Sequence, residues 1–96
     1  MNTYTFRLKP GQDLLEQIDA FCRSENIQAG CVLSAVGSLT RAVLRLANRS
    51  EHTTYDGHFE IVAMTGTVSI HGSHLHMAVS DGDGHTTGGH PVPGRR

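Results

Sequence analysis

The chain has 96 residues, 38% of them hydrophobic, a length that leaves room for one domain over residues 1–96 and excludes a second. Seven arginines and one lysine are outweighed by nine acids, for a formal charge of −1 with the seven histidines neutral. That balance disfavours strong, sequence-blind attraction to nucleic acid, which rests on a net basic surface, so any DNA contact needs a local patch.

Cys22 and Cys31 lie in apolar contexts without Cys-x-x-Cys spacing, which predicts two reduced core thiols and no disulfide framework. No apolar run approaches the roughly 20 residues of a membrane span. The opening MNTYTFRLKPG lacks the basic start and apolar stretch of a signal peptide, so the expectation is a cytoplasmic protein without membrane contact.

In chain order, residues 3–9 alternate, with Tyr4, Phe6 and Leu8 on one side, and predict a half-buried strand ended by Pro10-Gly11. Residues 13–25 place Leu14, Leu15, Ile18, Phe21 and Cys22 at helical spacing. Asp13 with Glu16 reads as an N-cap and capping box, and Asn26 as a left-handed stop. From Ile27 to Ala47 the chain is apolar and β-branched, predicting strands over 29–36 and 39–47 broken at Gly37-Ser38. In the second of these Ala42, Leu44 and Leu46 share one face, and Arg41, Val43 and Arg45 the other.

Residues 48–58 read as a polar loop with an Asp56-Gly57 turn. Residues 59–70 form a long strand whose apolar parity switches, predicting a bulge or bend near Gly66. His71-Gly72-Ser73 is a turn into residues 74–80, where Leu75, Met77 and Val79 point one way and His74, His76, Ala78 and Ser80 the other. Asp81-Gly82-Asp83-Gly84 is a further turn. The sum is an α+β fold: one main helix on a mainly antiparallel, barrel-like sheet of about five strands, curled because several strands are apolar on both faces.

The histidines crowd into the C-terminal half. Two residues along a strand advance about 6.6 Å and return to the same face, so His74 and His76 can converge on one ion. His90 is the candidate third ligand, since Gly88-Gly89 lets the backbone approach a sheet closely. Three imidazoles with an open fourth position suit zinc, and less selectively nickel, copper or iron. His52, His58, His71 and His85 fall in turns and loops, where exposure is expected.

Catalysis would need more than ligands. Asp81, Asp83 or Glu60 are the candidate general bases, although acids alternating with glycines usually cap a turn. No nucleophile triad or phosphate-binding glycine loop is visible, so no catalytic residue is assigned. Arg41 and Arg45 share a strand face with Arg49 just beyond, a weak DNA-binding patch without aromatics for stacking.

The ordered blocks GQDLLEQIDAFCRSENIQAGCVLSAVGSLTRAVLRLAN, DGHFEIVAMTGTVS and HLHMAVSDGDGHTTGGH resemble the PPC domain family, also called the DUF296 or PD1-like DNA-binding domain, in its stand-alone prokaryotic form. The likeness runs from about Pro10 to His90. It implies an antiparallel barrel-like sheet, assembly as a trimer, and a metal site, zinc by expectation, at His74, His76 and His90. Phe59, Glu60 and Ile61 match a block tied to partner contacts in plant members. The DNA-binding label belongs chiefly to members carrying AT hooks, and no Arg-Gly-Arg-Pro core occurs here. Family members continue past the Gly-Gly-His with an aliphatic stretch and a last strand, whereas this chain reads HPVPGRR. With Pro91 and Pro93 poor strand formers, the last strand is expected to be missing, the domain truncated and a sheet edge left open.

Two functions follow as expectations: a small oligomeric DNA-binding or regulatory module holding a three-histidine zinc site, or alternatively a metal-dependent enzyme acting on a small molecule.

Overall fold

The computed structural model describes residues 1–92. Its elements run α1 (Leu14–Ser24), β1 (Gly30–Cys31), β2 (Gly37–Arg45), β3 (His52–Val68), β4 (His74–Ser80) and β5 (Thr86–Pro91). The strands pair antiparallel in the order β1-β3-β2-β5-β4, and β3 also pairs with β4, so β2, β3, β4 and β5 close into a ring. The α+β, barrel-like architecture is therefore the observed one.

The ring closes because β3 serves two partners. Its first half runs beside β2, from Arg45↔His52 to Gly37↔Ile61, and its second half beside β4, from Glu60↔Ser80 to Thr67↔His74. Residues 52–58 are thus strand rather than loop, and the β2–β3 connection is a tight turn in which the Arg49 N–H donates to the Leu46 carbonyl at 3.1 Å. Asp56-Gly57 lies instead beside an irregularity of β2 between Leu39 and Arg41. That bulge explains why Leu39 and Ala42, three positions apart, are both buried. The parity switch in β3 has the same cause at another place than predicted: the β3–β4 register shifts between Ile61 and Ala63, not near Gly66.

Two further expectations are corrected, and one strand is added. Residues 3–9 form no strand; their alternation turns Phe6 and Tyr4 toward the helix, where Phe6 stacks on Phe21 at 4.4 Å and Tyr4 meets it edge-on at 5.4 Å. The segment predicted as a strand over 29–36 pairs only at Gly30 and Cys31, and Gly37-Ser38 begins β2 instead of breaking it. Residues 86–91, ahead of the last strand expected to be missing, form a strand not foreseen from the sequence: Leu44↔Pro91 and Arg45↔His90 join β5 to β2, and the Val92 N–H donates to the Val43 carbonyl at 3.1 Å. Proline is tolerated there because Leu44↔Pro91 is a non-hydrogen-bonded pair, the next ladder bond coming from the Val92 N–H, so the missing N–H is not needed. Pro93 lies outside the described residues.

Helix α1 starts at Asp13 in extended backbone, with no side-chain cap hydrogen bond, so the capping box is not realised. Its end is as predicted. Asn26 sits at φ 52, its N–H donates to the Arg23 carbonyl at 3.2 Å, and the Ile27 N–H donates to the Cys22 carbonyl at 2.9 Å. This is a Schellman pattern, in which the left-handed residue lets two orphan carbonyls find donors.

Leu14, Ile18 and Cys22 of α1 join Leu39, Ala42, Leu44, Met64, Leu75, Met77 and Val79 in one apolar cluster that fills the ring. Burial of Cys22, with Asp19 nearby, pushes its thiol pKa up, and Arg23 opposes the shift. Cys31, expected in the core, is exposed; both cysteines are free.

Candidate metal centre

Along β4 the buried residues are Leu75, Met77 and Val79, which leaves His74 and His76 on the outer face of the ring as the alternation requires. Strand β5 lies beside β4 with Met77 opposite Gly89, so one step along the ladder brings His90 next to His76. The ring centroids of His74 and His76 are 5.2 Å apart, those of His74 and His90 5.2 Å, and those of His76 and His90 5.9 Å. One nitrogen from each imidazole lies within 4.8 Å of the other two. Around a tetrahedral zinc with bonds of about 2.05 Å those nitrogens would stand about 3.3 Å apart, a contraction of roughly 1.5 Å at most that side-chain rotation can supply. All three sequence-predicted ligands are brought together.

Two glycines set the strands at this spacing. At Gly66 an added Cβ would overlap the His74 carbonyl oxygen and come within 2.8 Å of the Leu75 Cα; at Gly89 it would come within 2.8 Å of the Arg45 carbonyl oxygen. The close approach anticipated for the Gly-Gly pair holds at Gly89, and Gly66 performs the same role for β4. Ahead of β4, the Ser73 hydroxyl donates to Asp19 Oδ1 at 3.2 Å and ties the strand's start to α1.

The other candidate residues fall elsewhere. His52, His58, His71 and His85 are exposed, as expected. Asp81 closes the β4–β5 turn, its Oδ1 accepting the N–H groups of Asp83 and His85 at 2.9 Å each. Asp81, Asp83 and His85 form a second compact group of potential ligands. That turn begins five residues beyond His76, and Glu60 is paired with Ser80, so the candidate bases stand about 13 Å or more from the histidines by strand rise alone. A general base must reach its proton within hydrogen-bond distance, and none of these carboxylates does so at the histidine site.

Arg41 is engaged by Asp56, Nε to Oδ1 at 2.9 Å, and Arg45 donates through Nη1 to the Arg49 carbonyl at 3.5 Å. Phe59 and Ile61 are half-buried and Glu60 exposed, in the part of β3 that faces both β2 and β4. No helix among the described residues is long and apolar enough to cross a membrane.

Comparison with known proteins bears on this arrangement. The chain is 48% identical over 94 residues to a bifunctional protein GlmU of Synechococcus sp. strain JA-3-3Ab, covering 98% of this chain but 15% of that protein. It is 32% identical over 98 residues to AT-hook motif nuclear-localized protein 8 of Arabidopsis thaliana, covering 93% of this chain and 25% of that one. The chain thus spans a minor part of the curated relatives it matches. Among solved structures, a hypothetical protein of Salmonella superposes with a TM-score of 0.94 at 40% identity, covering 96% of this chain and 67% of that one. A metal-containing protein of Archaeoglobus fulgidus superposes with a TM-score of 0.72 at 26% identity, covering 97% and 76%. The model of the Plants and Prokaryotes Conserved (PCC) domain matches residues 1–96, and the chain belongs to that family, the plant- and prokaryote-conserved family its ordered sequence blocks resemble.

Proposed function

We propose that this chain is a small oligomeric binding module, DNA-binding or regulatory in role, that holds one zinc ion or a similar divalent transition metal on His74, His76 and His90. The observation that carries the reading is the meeting of three imidazoles from two strands within 4.8 Å. Imidazole nitrogens are donors that zinc takes, and three of them would leave a fourth tetrahedral position open. The metal-containing relative from Archaeoglobus supports the metal, and the AT-hook relatives support a place near DNA. Association is supported by the exposed apolar side chains of Leu33, Val36 and Val62, which a monomer leaves in water, and the trimer is what the family resemblance implies. A cytoplasmic location is part of the proposal.

Elemental analysis of the purified protein tests the metal. About one ion per chain is expected, with loss in His74→Ala and His76→Ala; a content far below one that ignores both substitutions overturns the reading. Duplex affinity measured against salt tests the DNA role. With a charge of −1 and Arg41 held by Asp56, binding by this chain alone is expected to be weak and to vanish by physiological ionic strength. A trimer-sized species in sedimentation is the expected assembly, and a monomer at high concentration contradicts it.

The open fourth position also fits a metal-dependent enzyme acting on a small molecule. Turnover of a substrate panel by metal-loaded protein, abolished by His76→Ala, would move the assignment to that reading.

A further inference from the structure

We propose that Arg45 makes the three-histidine centre a receptor for the oxyanion group, carboxylate or phosphate, of a small molecule; this rests on the metal reading above. Arg45 stands directly opposite His90 in the β2–β5 ladder. Residues so paired project to the same face with Cα atoms about 4.5–5.5 Å apart, so the guanidinium springs from the position next to a metal ligand. The relation is firmly set, because Gly89 brings β5 onto the Arg45 carbonyl. On the other flank Thr65 is paired with His76. Around the outer face the order is therefore Arg45, His90, His76, Thr65: a guanidinium and a hydroxyl on either side of two ligands.

Charge selects the ligand. Among the described residues the cluster consists of three histidines without a carboxylate, so these ligands leave a divalent ion its double charge. Arg45 adds a further positive charge beside it. Unlike Arg41, Arg45 has no carboxylate at ion-pair distance among the described residues; the hydrogen bond of its guanidinium to the Arg49 carbonyl, at 3.5 Å, is at the outer limit of such contacts. A planar guanidinium matches an oxyanion in two parallel bonds. An oxyanion can thus place one oxygen toward the open coordination position and another against Arg45.

The test uses the full chain loaded with Co2+, whose visible absorption reports on its ligands, titrated separately with acetate, inorganic phosphate and the neutral probe methanol. Saturable spectral change is expected with the anions and none with methanol. Arg45→Gln should take up Co2+ as the parent does and bind the anions about 10-fold or more weakly, the loss expected for a charge-assisted hydrogen bond. Arg45→Lys, which keeps the charge but not the fork, should fall between. The more tightly held anion names the oxyanion as carboxylate or phosphate. Anion affinity unchanged in Arg45→Gln, or Co2+ uptake with no anion response, overturns this proposal alone. Failure of the parent chain to take up Co2+ overturns the metal reading and this one with it.

Discussion

Gly66 of β3 lies directly across from Leu75 of β4, and the volume a side chain would need at Gly66 is occupied by the backbone of His74 and Leu75. The glycine also has φ 142, a conformation side-chain-bearing residues rarely adopt. Gly66→Ala therefore has to push β4 away or rebuild β3. The expected cost is about 3 kcal/mol or more, combining overpacking with backbone strain. Equilibrium urea unfolding would show it. Because the displaced strand carries His74 and His76, metal affinity should fall in the same variant even though no ligand has changed. A substitution that leaves both unaltered would mean that Gly66 is not what sets the strand spacing.

A smaller effect is expected at the helix end. Asn26 holds a left-handed conformation at φ 52 that glycine adopts without penalty and alanine does not. Asn26→Gly should be neutral or mildly stabilising, whereas Asn26→Ala should cost about 1 kcal/mol. Thermal melts of the pair would separate a backbone effect from loss of the Asn26 side chain's bond with Gln28, which both variants remove.

These two positions show what the sequence could and could not reveal. Asn26 follows an amphipathic run, and its role is local, so it is legible. The histidine cluster is legible for the same reason: strict alternation over residues 74–80 fixes one face, and a diglycine before His90 signals close approach. Gly66 looked like a bulge because an alternation break in β3 is visible while its location is not. The break belongs to the partner register, between Ile61 and Ala63, which depends on β4. Residues 52–58 are too polar to announce a strand, and they become one because β2 supplies a ladder for their backbone groups. Residues 3–9 fail in the opposite way. They have a strand's alternation, yet the apolar side is taken up by Phe21 of a helix, and alternation alone does not say what kind of surface it will meet.

The two cysteines should separate cleanly by reactivity. Cys31 is exposed, while Cys22 is 1% exposed and its thiol is held above the ordinary value by burial. The thiolate is the nucleophile, so a thiol reagent should label one cysteine in the folded chain and the second only on unfolding. The raised value has a consequence for stability. Cys22 favours the folded state fully at pH below the ordinary thiol range, and this contribution is lost as pH rises through that range toward the raised folded value. Urea midpoints for parent and Cys22→Ala, compared across mildly alkaline pH, should therefore converge as pH rises.

Metal binding should appear in stability as well as in composition. A ligand that binds only the folded chain stabilises it by mass action, about 2.7 kcal/mol when free metal is 100 times its dissociation constant. In a domain of this size that corresponds to a rise in Tm of roughly 10–20 °C. The three histidines come from β4 and β5, and β5 is attached to β2 by a short ladder. Metal bridging β4 to β5 should thus protect the C-terminal strand preferentially. Calorimetry with and without Zn2+ should show the rise for the parent chain and little for His90→Ala, while backbone hydrogen exchange should slow most across Thr86–Pro91. An equal rise in His90→Ala would place the metal elsewhere, with the Asp81, Asp83 and His85 turn the first alternative to examine.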